Sequence, residues 1–200
     1  FCNMLKNIII SNVFLLLINL PILSNAQIVN LTPQNIQLIL KLHNDERIVC
    51  AKKPLIWNNV LVQNAEIWAT KLINDCPDEE TNCLVHQIDN KYGENLSIMV
   101  NFNETEFDID SELNIGISEW LNEKPFYDGS AISKSGRPNG KVVGHYTQLI
   151  WGNTTQIGCA IARKKITRKH PYYKKQTIDN YIYILVCEYN PPGNYIGQTP

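Results

Sequence analysis

The sequence predicts an α+β domain that follows a cleaved leader. Three observations support this prediction: the N-terminus is strongly apolar, helical periodicity dominates the first half of the remaining chain, and two β-rich segments lie near the C-terminus. A chain of 200 residues has the length of one domain with a leader.

The apolar N-terminus has the features of a secretory signal peptide. Lys6 supplies a short positive region, residues 8–23 are almost entirely apolar, and Ser24-Asn25-Ala26 offers a small-residue cleavage site. A signal anchor that stays in the membrane is the alternative. The pattern favours secretion to the extracellular space, with no membrane span after processing.

We therefore predict a signal peptide over 1–26 and a domain over 27–200, and note that residues 1–3 precede Met4, the candidate start of translation. The leader contains one basic residue, Lys6, and no acidic residue, so its removal would leave 17 basic and 19 acidic residues and a formal charge of −2. This balance argues against a general nucleic-acid-binding protein.

Five cysteines follow the leader: Cys50, Cys76, Cys83, Cys159 and Cys187. A secreted destination favours disulfides, and an odd number leaves at least one cysteine unpaired. Cys159 and Cys187 would pair if they lie on neighbouring strands, and Cys76 and Cys83 would close a tight loop, although Cys50 competes for either pairing. The spacing is poor for a zinc site made of cysteines.

Four sequons are candidates for N-glycosylation, at Asn30, Asn95, Asn103 and Asn153. Only exposed asparagines can accept a glycan. We keep Asn30, Asn103 and Asn153, because Asn95 is next to a candidate site residue, Glu94.

Two amphipathic helices are predicted in the first half of the domain. Thr32 and Pro33 have the character of an N-cap and a first-turn proline, and apolar residues at helical spacing continue to about Val49. After an extended link at 54–58 and before an acidic loop at 75–82, apolar residues recur at steps of four, three and four. This second stripe consists of Leu61, Ala65, Trp68 and Leu72.

A third helix should follow an acidic surface connection at 101–111. Asp110 or Ser111 is the predicted N-cap, and an apolar stripe that includes Ile117 and Trp120 follows. Glycines and prolines make 124–142 an irregular loop, after which a short helix begins.

Residues 157–162 and 181–187 are rich in β-branched and aromatic residues and are predicted to be strands of a buried sheet. The predicted hairpin loop between them, 163–175, contains seven basic residues and no acidic residue. We expect a solvated loop, with a docking patch for anionic glycans or lipid head groups as the alternative. The basic residues are Arg163, Lys164, Lys165, Arg168, Lys169, Lys174 and Lys175.

Two segments near the C-terminus resemble signature segments of one protein family. Residues 144–151 read Gly-His-Tyr-Thr-Gln-Leu-Ile-Trp, and residues 184–195 read Ile-Leu-Val-Cys-Glu-Tyr-Asn-Pro-Pro-Gly-Asn-Tyr. Both resemble the CAP superfamily, which includes cysteine-rich secretory proteins, antigen-five venom allergens and pathogenesis-related class-one proteins. Residues 43–47 are similar to its HNxxR pattern; we expect His43 to be hydrogen-bonded in the core and not to bind a ligand.

The resemblance covers about residues 33–198 and implies a three-layer α-β-α sandwich of the CAP type. One departure is Glu188, which stands where the family pattern has asparagine or another uncharged or basic polar residue. This departure leaves the local hydrogen bonding open.

The resemblance also implies a cleft tetrad formed by His86, Glu94, Glu123 and His145. Two imidazoles on one side of a cleft can bind a divalent metal such as zinc weakly, and glutamates beside them would fix their tautomers. We therefore treat His86 and His145 as candidate metal ligands. Alternatively, the glutamates only satisfy the histidines and backbone donors and brace the fold.

An enzyme is the less favoured alternative. The four tetrad residues could act as a general acid and base in a protease or esterase, but no Ser or Cys stands in a hydrolase nucleophile motif. We expect a non-catalytic protein instead.

The expected ligand is a sterol or fatty acid, a divalent metal, or a host or cell-surface macromolecule. CAP proteins as a class bind sterols or fatty acids, and the aromatic residues of Pro125-Phe126-Tyr127 could form a flap over an apolar groove. Tyr146 and Gln148 are expected to hydrogen-bond within the scaffold.

Overall fold

A five-stranded sheet lies between two layers of helices in the computed structural model, which describes residues 26–77, 83–101, 108–133, 140–169 and 176–200. The helices are α1 (Pro33–Val49), α2 (Asn59–Asp75), α3 (Ile109–Leu121) and α4 (Gly144–Leu149), with one 3-10 turn at Lys124–Phe126. The strands are β1 (Ala26–Ile28), β2 (Ile56–Trp57), β3 (Gly93–Asn101), β4 (Gln156–Lys169) and β5 (Thr177–Asn190). The predicted α-β-α sandwich is confirmed.

The sheet order is β1-β4-β5-β3, with β2 also paired to β4. The β2–β4 pair is parallel, and the other pairs are antiparallel. The central strand β5 is buried on both faces. Its alternate side chains therefore serve two cores, one against α1 and α3 and one against α2.

Alternation along β5 fixes which residues reach each core. Leu185 and Tyr189 are among those that face the layer of α1 and α3, whereas Ile184 and Val186 face α2. Glu188 has the same parity as Val186, so it continues the α2 face to the end of the strand, where it is fully buried.

Helix α1 has the predicted bounds because its first turn is capped twice. The Thr32 hydroxyl accepts a hydrogen bond from the Asn35 N–H at 3.2 Å, and the Asn35 side chain accepts one from the Thr32 N–H at 2.7 Å. Later in the helix His43 is fully buried, with Nδ1 2.8 Å from the Ile39 carbonyl and Nε2 2.9 Å from the Tyr189 hydroxyl. This confirms a structural role for His43, and burial lowers its pKa to about 4.

Arg47, also on α1, is fully buried without a carboxylate partner among the described residues. Its guanidinium donates to four backbone carbonyls, those of Lys53, Leu149, Trp151 and Thr154, at 2.8 to 3.0 Å. The last three bonds join α1 to the chain that leaves α4, and all four satisfy the buried charge. Burial lowers the pKa of Arg47 to about 10.

Helix α2 buries the predicted stripe except at Trp68, which is half-buried and donates from its indole N–H to the Val85 carbonyl at 3.0 Å. Helix α3 begins earlier than predicted. Asp108 is its N-cap, in place of Asp110 or Ser111, and accepts from the Asp110 N–H at 3.1 Å. The Asp110 carboxylate instead accepts from the Asn35 amide of α1 at 2.6 Å.

The predicted loop at 163–175 is wrong for most of its length. Strand β4 continues to Lys169 and β5 begins at Thr177, so the two form a long ribbon. Cross-strand contacts extend it beyond the apolar core: Asp179 accepts from the Thr167 hydroxyl at 2.7 Å and pairs with Lys165 at 2.6 Å. Lys174 and Lys175 lie outside the described residues.

Both expected disulfides are present. Cys159 and Cys187 are paired neighbours on β4 and β5, and Cys76 and Cys83 close a short loop after α2. Cys50 is free and half-buried, which resolves the competition left open by the sequence. In the described part of the chain, no helix is both long and apolar enough to cross a membrane.

Gly158→Ala should destabilise the protein by about 1–3 kcal/mol. A methyl group at this position would lie 2.5 Å from the Val62 nitrogen and 2.6 Å from the Asn58 carbonyl oxygen, which are backbone atoms at the start of α2. Urea unfolding measures the effect. Gly152→Ala, where the nearest atoms are the end of Lys52 at 3.7 Å, is the matched control; equal stability of the two variants would contradict the steric argument.

Candidate functional site

Two histidine–glutamate pairs occupy the predicted site positions. Each glutamate accepts a hydrogen bond from the Nδ1 side of one imidazole, at 2.6 Å for His86–Glu94 and 2.5 Å for His145–Glu123. No hydrogen bond to Nε2 of either ring comes from the described residues. The structure thus pairs each histidine with one glutamate in the same arrangement.

The first pair joins the segment after Cys83 to the start of β3. Glu94 Oε1 accepts from His86 and also from the backbone N–H of Gln87 at 3.1 Å. The His86 side chain is 66% exposed, whereas that of Glu94 is 4% exposed. The hydrogen bond to Glu94 raises the pKa of His86, and burial opposes this effect.

The other carboxylate oxygen of the first pair, Glu94 Oε2, is buried and has no hydrogen-bond partner among the described residues. A buried acceptor of this kind is costly, and native structures rarely keep one without a reason.

The second pair joins the end of α3 to α4. Glu123 Oε2 accepts from the backbone N–H groups of His145 and Tyr146 at 2.9 and 3.0 Å. Helix α4 has no capping side chain of its own at Val143. Glu123 therefore supplies the negative cap that the helix start favours, and holds the His145 ring at the same time. The ring stacks on Trp120, with centroids 6.3 Å apart.

Strand β3 connects the two pairs. Glu94 binds His86, and the next residue, Asn95, donates to the His145 carbonyl at 3.0 Å and to the Tyr189 hydroxyl at 3.2 Å. Successive side chains of a strand leave opposite faces, so Glu94 and Asn95 leave β3 on opposite faces. Convergence of all four side chains on one wall stays a prediction.

Metal binding by His86 and His145 stays a prediction. No group of three or more His, Cys, Asp or Glu side chains that could hold a metal ion occurs in the described part of the chain. The donor chemistry of the two pairs still fits a soft-to-borderline metal, because each imidazole is oriented by a carboxylate through one nitrogen.

Glu188 adds a carboxylate beside the first pair that sequence reasoning did not include in the site. It is the register partner of Glu94 across β3 and β5. Its two oxygens accept from the amides of Asn64 and Asn90, each at 2.9 Å. Burial raises the pKa of Glu188 to about 7; the negative charge of Glu94 adds to this, and the amide bonds oppose it.

The only sign of Glu188 in the sequence was its departure from the family pattern. Asn64 and Asn90 gave no sign, because asparagine is common on surfaces and in turns and nothing in the spacing of these two identified them.

Tyr146 and Gln148 bond within the scaffold, as predicted. The Tyr146 hydroxyl donates to Glu46 at 2.8 Å, and Gln148 Oε1 accepts from the Gly193 N–H at 2.8 Å. Lys124 also pairs with Glu46, at 2.9 Å. The predicted flap is partly anchored: Phe126 is exposed, while Tyr127 packs near Tyr146, with centroids 6.2 Å apart.

The glycosylation candidates differ in their surroundings. Asn30 and Asn153 are exposed, whereas Asn95 is buried and bonded, which agrees with leaving it out. Asn103 lies outside the described residues. Glycosylation at Asn30, Asn103 and Asn153 stays a prediction.

The basic residues of the β4–β5 ribbon are partly engaged. Arg163 donates to the Gln27 side chain at 3.0 Å, and Lys164 donates to the Cys76 carbonyl at 2.5 Å. These bonds tie two side chains of the alternative docking patch to neighbouring elements.

Sequence comparisons place the chain among known proteins. The family model described as the cysteine-rich secretory protein family, CAP, matches residues 40–189. The chain is 31% identical over 161 residues to pathogenesis-related protein 1A of Nicotiana tabacum, covering 80% of this chain and 77% of that protein. It is 28% identical over 192 residues to venom allergen 5 of Microctonus hyperodae, covering 88% and 75%.

Solved structures agree on the fold. The structure of BmVAL-1 is similar with a TM-score of 0.58 at 20% identity, covering 85% of this chain and 82% of that one. The crystal structure of NaASP2 with Zn²⁺ is similar with a TM-score of 0.56 at 18% identity, covering 84% and 85%.

Glu188→Gln should remove a loss of stability that occurs as the pH rises. The folded-state pKa of Glu188 is about 7, and its ordinary value is 4.5. Between these values the folded protein keeps a proton that the unfolded chain has released, so stability falls with rising pH. Glutamine has no such proton. We expect the variant to gain on the wild type by up to about 1.4 kcal/mol per pH unit in this window.

Urea unfolding at pH 5, 6, 7 and 8 measures the difference between the two proteins. The pKa of His86 is raised, so its contribution to stability is also lost as the pH rises. His86 is present in the wild type and in the variant, so the comparison is between proteins that both contain it. Asp45→Asn, at an exposed position on α1, is the control. A difference that does not change with pH would contradict the buried acid.

Proposed function

Because the chain belongs to the CAP, or cysteine-rich secretory protein, family, we propose that it is a secreted protein that binds a ligand without turnover. The ligand we propose is a divalent metal ion of the zinc type, bound through Nε2 of His86 and His145. The observation that supports this proposal is the repeated arrangement of the two pairs, in which a glutamate holds Nδ1 and no described residue forms a hydrogen bond with Nε2.

The chemistry of the pairs favours this ligand. A metal-binding histidine commonly gives its second ring nitrogen to a carboxylate, which fixes the tautomer and raises the basicity of the free nitrogen. Glu94 and Glu123 supply this bond, and each also accepts from a backbone N–H. The rings are therefore oriented before a ligand arrives, which lowers the entropy lost on binding.

Two protein ligands make a weak site. Structural zinc sites use four protein ligands and catalytic zinc sites three, so solvent would complete the coordination. The zinc in the NaASP2 structure belongs to that protein, and at 18% identity the likeness supports the fold alone. When bound, the metal would supply a positive charge with open positions for a further ligand.

A second candidate is an apolar ligand such as a sterol or fatty acid. Large apolar side chains stay exposed in the loop before α4 and after β5: Phe126, Val142, Tyr195 and Ile196. A lipid-loaded protein would protect these positions in a fluorescence or exchange experiment. Mass spectrometry of the protein from its source under native conditions would distinguish metal from lipid cargo.

Zinc should raise the melting temperature of the wild type and have no effect on either single variant, His86→Ala or His145→Ala. At a zinc concentration about 100 times Kd the stabilisation would be about 2.7 kcal/mol, which corresponds to a shift of several degrees. Differential scanning calorimetry, with magnesium as the metal control, measures the shift.

His170→Ala controls for the loss of a histidine that is not part of either pair. Full zinc stabilisation retained in both single variants would contradict the proposed site. Half of the stabilisation retained in each would show two independent sites and overturn joint binding by the two imidazoles.

A further inference from the structure

Strand β3 forms one edge of the sheet. In the described part of the chain it pairs only with β5, over all nine residues from Gly93 to Asn101. An edge strand presents a row of backbone N–H and C=O groups that can pair with another extended chain.

The register shows which residues of β3 present these groups. On the far side of β4, Ile157 and Ile161 accept backbone hydrogen bonds from Asn58 and Val29, each at 2.9 Å. Alternate residues of an antiparallel strand direct their backbone groups to opposite edges. The backbone N–H and C=O groups of the odd-numbered residues of β4 therefore point away from β5.

The registers of β4 with β5 and of β5 with β3 continue this alternation. The backbone N–H and C=O groups of the even-numbered residues of β3 therefore point away from β5, toward the open edge of the sheet. Leu96 agrees, because its carbonyl accepts from the Trp120 indole at 3.0 Å and so is turned toward α3. The next outward positions are Ile98 and Val100. No hydrogen bond to the outward backbone groups of these two comes from the described residues.

A groove of about 410 Å³ lies against these positions, between β3 and α3. On the helix side it is lined by Glu112, Ile115 and Glu119, which are spaced along one face of α3. Ile115, in the middle of α3, is 49% exposed.

Among the described residues, the groove is lined by carboxylates with no cation paired to them. Asn101 donates to Glu112 at 2.9 Å and Ser97 donates to Glu119 at 2.5 Å, but neither carboxylate forms an ion pair with a described Lys or Arg. Burial raises the pKa of Glu112, as expected for a carboxylate without a cation beside it.

We propose that the β3 edge and this groove bind an extended, basic segment of a partner protein by strand addition. The partner strand would pair with the outward backbone groups of Ile98 and Val100. Its side chains on the α3 side would meet Glu119, Ile115 and Glu112 in turn, so they should read basic, apolar, basic at alternate positions.

The spacing is compatible with this order. Seven residues of helix separate the two carboxylates by about 10 Å. Two basic residues four apart on a strand are separated by about 13 Å, a difference that flexible lysine side chains can cover. A second copy of β3 would instead bring acidic grooves together, which electrostatics disfavours.

The test uses the disulfide-intact protein and the peptide acetyl-Ser-Lys-Thr-Val-Thr-Lys-Ser-amide. Isothermal titration calorimetry should detect binding that weakens with salt, and the amides of Ile98 and Val100 should become protected from hydrogen exchange. The same peptide with both lysines replaced by glutamate should not bind.

Backbone pairing is tested by two further peptides, N-methylated either on the central Val or on both Thr residues. Because alternate residues of the added strand face β3, one of these peptides should lose binding and the other should keep it. Equal binding by both would overturn strand addition.

Charge recognition is tested on the protein. Glu119→Lys should weaken binding about tenfold and Glu119→Gln less, while Asp45→Lys, an exposed acid on α1, should have no effect. Glu119→Gln keeps a side chain that can accept from Ser97, so it separates charge from folding. Unchanged affinity in both Glu119 variants, or a protein dimer that protects Ile98 and Val100 without peptide, would overturn the proposal.

Discussion

The pairing of β3 with β5 is the constraint on which the rest of the site depends. This register sets Glu94 opposite Glu188 and Asn95 opposite Cys187. Because side chains alternate, Glu94 and Glu188 lie on the face of α2, and Asn95 and Cys187 lie on the face of α1 and α3. A slip of one residue would exchange the two faces and separate every partner described for the site. The two apolar cores, which need opposite faces of β5, prevent this slip.

Buried polar groups then attach the outer elements to this sheet. Arg47 holds the end of α4 and the chain that follows it through three carbonyls, and Glu123 holds the start of α4 through two N–H groups. Each satisfies backbone groups that would be costly to bury alone. The consequence for function is positional: His145 lies where α4 begins, and Glu123 caps this helix start. The same carboxylate, that of Glu123, therefore fixes both the His145 ring and the start of α4.

The helices could be predicted well because their signals are local. Thr32 and Pro33 mark the start of α1, and the stripe from Leu61 to Leu72 marks α2. Strand β3 was not predicted, since Gly93, Asn95 and Ser97 interrupt its apolar pattern and its stability comes from neighbours distant in sequence. The length of the β4–β5 ribbon was missed for a related reason: its charged residues resemble a loop, and cross-strand partners make them a strand. The four site positions came from the family resemblance, because no physical rule applied to separate segments indicates that they will meet. The pairing of each histidine with one particular glutamate, and the place of Glu188, depend on contacts between segments that are distant in sequence.

The first histidine–glutamate pair retains costs that the fold does not recover. Glu94 Oε2 is buried without a described partner, and a second carboxylate, Glu188, is buried opposite it with its pKa raised to about 7. A core optimised only for stability would place apolar or uncharged residues at these two positions, because two adjacent buried acids disfavour each other's ionised form. Asn64 and Asn90 offset part of the cost at Glu188, whereas nothing described offsets it at Oε2. Violations of this kind tend to concentrate at functional sites, and a carboxylate with one oxygen on an exposed imidazole and the other free is suited to bind a cation or a hydrogen-bond donor. In the second pair both oxygens of Glu123 accept hydrogen bonds, so no carboxylate oxygen is left for a ligand there. We therefore expect the contacts that distinguish one ligand from another at His86 and Glu94, and a more rigidly held imidazole at His145.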